Sequence, residues 1–236
     1  MKAYRDRGAQ QYGIKNPEVI VPDSAHAAFI KGAHYFGYKL VLVPCREDKR
    51  VDVAAVKKAI TSNTVFIVAS APNFPHGVID PIEEIAELIK DLPQIGLHVD
   101  ACLGGFILPF LQKLGHLKKK YDFEIPGVIY CFFPLSFSYS FFFSPQVTSI
   151  SADLHKYGFA PKGASVILWK DSSFRKFQYF AYCDWSGGIY CSPAIQGSRA
   201  GGPMAGAWAV LVHLGQNGFL KAATHYYNAY STIVEG

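Results

Sequence analysis

The sequence predicts an α/β domain built on a mostly parallel sheet, and three observations lead there. Short apolar runs of strand length alternate with amphipathic stretches of helical period from Glu18 to Trp169. Of the 236 residues, half are hydrophobic and 17% are charged, which suits one large domain with a substantial core and excludes a disordered chain. Two chemistry-bearing side chains, Asp100 and Lys156, fall at or just after strand ends, where sheets of this kind bind ligands.

The elements follow in order. Glu18–Pro22 reads as a strand, and Ser24 as the cap of a helix running to about Phe36. Lys39–Val43 is a second strand, and Asp52 opens a helix through Ile60. Thr64–Ser70 is a third strand. Asp80 and Pro81 then start a helix with Glu83 and Glu84 in its first turn, where the dipole favours acids. Residues 96–100, 148–152 and 164–169 give strands four, five and six.

The most informative stretch is 151–163, Ser-Ala-Asp-Leu-His-Lys-Tyr-Gly-Phe-Ala-Pro-Lys-Gly. It puts Lys156 after an apolar run, behind His155 and ahead of a Gly/Pro-rich turn. Upstream, Leu97-His98-Val99-Asp100-Ala101 ends an apolar run on a carboxylate. A lysine able to form an imine and an aspartate able to keep a ring nitrogen protonated are what pyridoxal phosphate chemistry requires. Read as ordinary structure, Lys156 is a surface lysine and Asp100 a turn cap.

Other function classes lack support. The net charge of +5 is modest, the basic residues are scattered, and Lys118-Lys119-Lys120 reads as a solvated helix end, so nucleic acid is not an expected partner. The five cysteines (45, 102, 131, 183 and 191) form no CxxC pair, and no secretory signal follows Met1, which points to a reducing compartment. His98, Asp100 and His26 lack a metal-ligand spacing, so no metal is expected.

One segment breaks the pattern. Residues 128–146 are almost all Phe, Ser, Tyr, Leu and Pro. The run approaches the ~20 residues of a membrane span, but serines and two prolines interrupt it. These residue types share pyrimidine-rich codons, and the run is bracketed by Val128 and Gln146, whose codons can supply GT and AG. The expectation is an aberrant low-complexity insert translated from a retained intron, with a genuine insertion as the alternative.

The motifs resemble those of the sphingosine-1-phosphate lyase family, pyridoxal-phosphate enzymes related to the amino-acid decarboxylases. The resemblance rests on residues 24–29, 74–81, 98–106, 148–163, Asp184-Trp185-Ser186-Gly187-Gly188-Ile189-Tyr190 and Gly197-Ser198-Arg199. It covers nearly the whole chain apart from the Phe/Ser run. His-Lys and Asp-Ala are shared with the decarboxylases, whereas Tyr-Gly-Phe-Ala-Pro-Lys-Gly is more specific to the lyase.

The resemblance implies the large domain of a pyridoxal-phosphate-dependent transferase-like fold (fold type I), incomplete at both ends. The expected partial domain spans 1–236, without the N-terminal membrane anchor, the cofactor-phosphate loop or the C-terminal small domain. Removing 128–146 would join Gly127 to Val147 in the family pattern.

Pyridoxal 5'-phosphate is the implied cofactor, tethered on Lys156, with Asp100 at the ring nitrogen, His26 stacked on the ring and Ala101 beside it. Burial is expected to lower the pKa of Lys156 toward the neutral amine. His155 is a phosphate contact or a proton carrier. His98 either orients Asp100 or is a satisfied core histidine. Lys162 and Arg199 are candidates for the substrate phosphate, or ordinary surface charge. Gly187-Gly188 and Gly201-Gly202 suit a binding loop or plain turns.

The implied reaction cleaves a phosphorylated sphingoid base by retro-aldol chemistry to a long-chain aldehyde and phosphoethanolamine, with His155 or released Lys156 as base. A decarboxylase on the same fold and a catalytically impaired fragment are the alternatives. A homodimer on the cytosolic face of the endoplasmic reticulum is implied for the full-length family, and a cytosolic location for a chain without an anchor.

Overall fold

The structure, a computed structural model, describes residues 1–117 and 146–235. In chain order it contains α1 (Lys2–Tyr12), β1 (Glu18–Pro22), α2 (Ala28–Phe36), β2 (Lys39–Val43), α3 (Val53–Ala59) and β3 (Thr64–Ser70). There follow α4 (Ile82–Leu88), β4 (Gly96–Asp100), α5 (Leu108–Lys113), β5 (Val147–Ala152) and β6 (Val166–Trp169). The short helix α6 (Ser172–Arg175), a hairpin of β7 (Phe180–Tyr182) and β8 (Tyr190–Ser192), and α7 (Gly201–Glu235) complete it.

Six strands form one sheet in the order β2-β1-β3-β4-β5-β6. β1 pairs in parallel with β2 and β3, and β3 with β4, so that Ser70 lies opposite Asp100. The described chain divides into two compact units, residues 1–100, 146–150 and 169–199, and residues 101–117, 151–168 and 200–235.

The first unit is organised around β3, which is buried along its whole length. Tyr4 of α1 stacks on Phe66 with ring centroids 4.5 Å apart, and both side chains are fully buried. This approach needs glycine at position 96, since a Cβ there would lie 1.9 Å from Tyr4 Cε1. Gly8 meets the same demand, its Cβ position being 2.7 Å from Val65 Cγ1.

One local expectation is corrected here. Ser24 does not cap α2. It is buried and accepts a hydrogen bond from the Cys45 thiol at 3.1 Å, and the helix begins at Ala28. Asp80 and Pro81 do precede α4, as read. The buried Asp80 carboxylate accepts from Val51 N–H at 2.9 Å and Ser70 N–H at 2.8 Å, clamping the end of β3, while Pro81 sits at the helix cap. Burial raises the pKa of Asp80 against the opposing pull of these two bonds. Asp52 does cap α3, accepting from Ala54 and Ala55 N–H at 2.8 and 3.3 Å, an arrangement worth about 1 kcal/mol.

The second unit has its own core of Phe110, Leu154, Ala160, Leu211 and Phe219, with Phe110 and Phe219 stacked at 5.2 Å. Gly201 and Gly202 belong to the first turn of α7, neither a binding loop nor a turn, and that helix is broken at Gly215 (φ 53°). Gly188, by contrast, closes a turn at φ 101°, its N–H donating to Trp185 C=O at 2.9 Å. Among the described residues no helix is long and apolar enough to cross a membrane. The Phe/Ser run of 128–146 lies, apart from Gln146, outside the described residues, as does Lys118-Lys119-Lys120.

Candidate functional site

In the first unit two of the candidate residues, His98 and Asp100, lie on β4. Asp100 is the last residue of that strand and is 7% exposed. Its backbone carbonyl accepts from Ala71 N–H at 2.8 Å, which fixes the strand end. His98, two residues earlier, shares its face of the strand.

His98 is buried beside the rings of Phe29 and Phe66, with centroids 5.8 and 6.0 Å away. Its Nδ1 lies 2.7 Å from Ser149 Oγ. Burial pushes its pKa from 6.5 down to about 4, only partly offset by the charge of Asp100. It is therefore a neutral, hydrogen-bonded core histidine at pH 7.

His26 is exposed just ahead of α2. Its Nδ1 accepts from Ala28 N–H, the first amide of that helix, at 3.1 Å. Its ring is 6.4 Å from Phe74, edge to face. Arg199 is exposed in the same unit.

In the second unit the loop after β5 carries Lys156. Ala101, immediately after β4, is buried and donates its N–H to Ser151 C=O at 3.0 Å. Asp153 is the centre of the loop. Its Oδ2 takes Lys156 Nζ at 3.0 Å and lies 3.7 Å from His155 Nε2, and its Oδ1 accepts from Ser165 Oγ at 2.5 Å.

The lysine departs from expectation. Burial pulls its pKa down, as the sequence reading supposed, but hydrogen bonds and charge from Cys102 and Asp153 outweigh burial, and the net shift is upward. Cys102 and the carboxylate three residues before the amine together hold the ammonium form.

His155 Nδ1 is 2.7 Å from the Ala164 carbonyl. A carbonyl can only accept, so Nδ1 carries a proton and Nε2 is the nitrogen left to accept one. Lys162 is exposed on a turn closed by Gly163 (φ 92°). Among the described residues no group of three or more His, Cys, Asp or Glu is arranged to hold a metal ion.

The sequence reading gave no role to Asp153, Ser165, Ser149, Thr148 or Tyr4. Asp153 had a signal, its i,i+3 spacing from Lys156, and Thr148 and Ser149 had one in being hydroxyls inside an apolar strand. Tyr4 had none.

Comparison with known proteins completes the description. The family described as Pyridoxal-dependent decarboxylase conserved domain matches residues 1–123. The chain is 51% identical over 222 residues to sphingosine-1-phosphate lyase 1 of Rattus norvegicus, covering 94% of this chain and 35% of that protein. It is 45% identical over 236 residues to sphingosine-1-phosphate lyase of Arabidopsis thaliana, covering all of this chain and 40% of that one. The chain thus spans between 35% and 40% of the length of these relatives.

Among solved structures, a sphingosine-1-phosphate lyase of Burkholderia pseudomallei is similar with a TM-score of 0.82 and 42% identity, over 94% of this chain and 47% of that chain. A glutamate decarboxylase of Lactobacillus brevis matches in fold alone, with a TM-score of 0.75 and 20% identity over 99% of this chain and 50% of that chain.

Proposed function

This chain belongs to the pyridoxal-dependent decarboxylase family, and from that premise we propose that it is part of a carbon–carbon lyase cleaving phosphorylated long-chain sphingoid bases to a fatty aldehyde and phosphoethanolamine. One observation carries the choice of lyase over amino-acid decarboxylase. Identity to proteins named sphingosine-1-phosphate lyase is 51% and 45% over nearly the whole chain, whereas a glutamate decarboxylase of known structure shares 20%.

The cofactor is pyridoxal phosphate, and the donor set suits it. Lys156 offers a primary amine for the aldehyde, Asp100 a carboxylate for the ring nitrogen, and His26 an exposed imidazole for the ring face. When bound, the cofactor supplies an electron sink for the charge of a breaking bond. Asp100 is proposed to hold the proton on the ring nitrogen.

Lys156 begins as an ammonium held by Asp153 and must lose a proton before it reacts as an amine. Asp153 Oδ2 lies near both Lys156 and His155 and steadies the ammonium until that proton is released. His155 Nε2, whose partner nitrogen is committed to Ala164, is the proposed acceptor of the substrate hydroxyl proton.

Lys162 and Arg199 are the proposed partners of the substrate phosphate, both exposed and cationic. A homodimer and attachment to the cytosolic face of the endoplasmic reticulum belong to the same reading and rest on the resemblance alone.

The test is to supply pyridoxal phosphate and a phosphorylated sphingoid base and to measure aldehyde and phosphoethanolamine. Formation of both in equal amounts supports the lyase. Carbon dioxide released from an amino acid in their place overturns it in favour of a decarboxylase.

A further inference from the structure

Behind Asp100 runs an unbroken series of buried polar groups from three separate stretches of chain. His98 Nδ1 is 2.7 Å from Ser149 Oγ, which is 2.6 Å from Tyr4 Oη. Tyr4 Oη is in turn 2.6 Å from Thr148 Oγ1, and Thr148 Oγ1 is 3.0 Å from the Leu97 carbonyl oxygen. Each hydroxyl has one proton to give, and the terminal carbonyl has none.

The direction of every bond follows from that end. Thr148 must donate to Leu97, because two oxygens 3.0 Å apart without a proton between them repel. Tyr4 must then donate to Thr148. Ser149, finding the Tyr4 proton already committed, must donate to Tyr4. The remaining contact can be made only if His98 Nδ1 carries a proton and donates to Ser149.

We propose that Tyr4, Thr148 and Ser149 are positioning residues that lock a proton on Nδ1 of His98, on the same face of β4 as Asp100. Tyr4 suits the part. Stacking on Phe66 and the close approach at Gly96 hold its ring in place. Burial raises its pKa to about 12, so the phenol keeps its proton. The imidazole itself is neutral at pH 7, again through burial.

The consequence for the cofactor rests on the function proposed above; the lock itself does not. An Nε2–H tautomer or an imidazolium would add a donor beside Asp100 and compete with a ring nitrogen for the carboxylate. The Nδ1–H tautomer adds no donor at Nε2 and no charge.

The experiment is long-range proton–nitrogen correlation NMR on the chain labelled with nitrogen-15 histidine, at pH 7 and without cofactor. His98 is expected as the Nδ1–H tautomer. In Tyr4→Phe the ring stays, but Ser149 no longer has to donate to it and is released to donate to Nδ1. The ratio of Nδ1–H to Nε2–H should then fall about tenfold, the worth of one net hydrogen bond.

Tyr38→Phe is the control. Tyr38 lies in the same core cluster, and its hydroxyl donates to the Met1 carbonyl at 2.8 Å, outside the series, so its loss should leave the ratio unchanged. Should Tyr4→Phe fail to fold, Thr148→Val removes the terminal anchor and should move the ratio the same way.

Three results overturn the lock: Nε2–H in the parent chain, a ratio unmoved by the substitution in the series, or an equal change in Tyr38→Phe. A cofactor arm separates this from failure of the functional reading. With pyridoxal phosphate bound, Tyr4→Phe should shift the pH titration of its visible absorbance while Tyr38→Phe does not. A locked His98 in a chain that takes up no cofactor refutes the function and leaves the lock standing.

Discussion

Acid should destabilise the first unit through His98, by an amount that follows from its burial. The imidazole has its pKa lowered from 6.5 to about 4 in the folded chain, so its folded and unfolded forms differ between those limits. Above pH 6.5 both forms are neutral and the full stability is present. As the pH falls, the unfolded form takes up a proton first, and stability is lost until the folded imidazole also protonates near pH 4. The linkage relation gives a loss of about 2 kcal/mol by pH 5 and about 3 kcal/mol by pH 4.

The perturbation that isolates this contribution is His98→Asn, which keeps an N–H donor toward Ser149 Oγ and does not titrate. Urea unfolding followed by circular dichroism at pH 7, 6 and 5 compares the two chains. The variant is expected to be the less stable at pH 7, having lost ring packing against Phe29 and Phe66, and its deficit should shrink by about 2 kcal/mol at pH 5. Parallel pH profiles for the two chains would refute the reasoning, because they would mean that the imidazole protonates as readily folded as unfolded.

Three further expectations follow from the same contacts. Asp153→Asn removes one of the two groups that raise the Lys156 pKa, so that pKa should fall and the amine be reductively methylated several-fold faster at pH 8, read by peptide mass spectrometry; an unchanged rate contradicts the pairing. Gly96→Ala drives a methyl into the Tyr4 ring and should cost about 3 kcal/mol in urea unfolding, and an unshifted midpoint would contradict the packing of α1 on the sheet. For residues 128–146, the mature transcript is expected to lack the matching codons, and a message that retains them as ordinary exon ends the intron proposal.

The strands were legible because each is an apolar run bounded by residues that end strands. β1 stops at Pro22 and Asp23, β3 at Ser70, and β4 at Asp100, and the boundaries of β1 to β4 are those read from the sequence. The helix α1 was not legible. Of its eleven residues only Ala3, Tyr4 and Gly8 are buried, too few to write a helical period. α7 was hidden by Gly201 and Gly202, which read as turn residues and stand instead at an exposed helix start.

Side-chain roles were legible only where the partner is close in sequence. Asp52 caps the helix that it precedes, but Ser24 is taken by Cys45, across a gap no local pattern reveals. The protonation of Lys156 was misjudged for a related reason. Burial was counted, but the carboxylate of Asp153 and the thiol of Cys102 were not. Lys156 and Asp100 stood out in the sequence because their motifs are short, contiguous and lie at or just after strand ends.

The central claim is that an aldehyde cofactor is carried on position 156. Incubation with pyridoxal phosphate, reduction with borohydride and peptide mapping by mass spectrometry test it directly. The account predicts one reduced adduct, on the peptide containing Lys156, absent in Lys156→Arg. An adduct on any other lysine, or none in the parent chain, contradicts it.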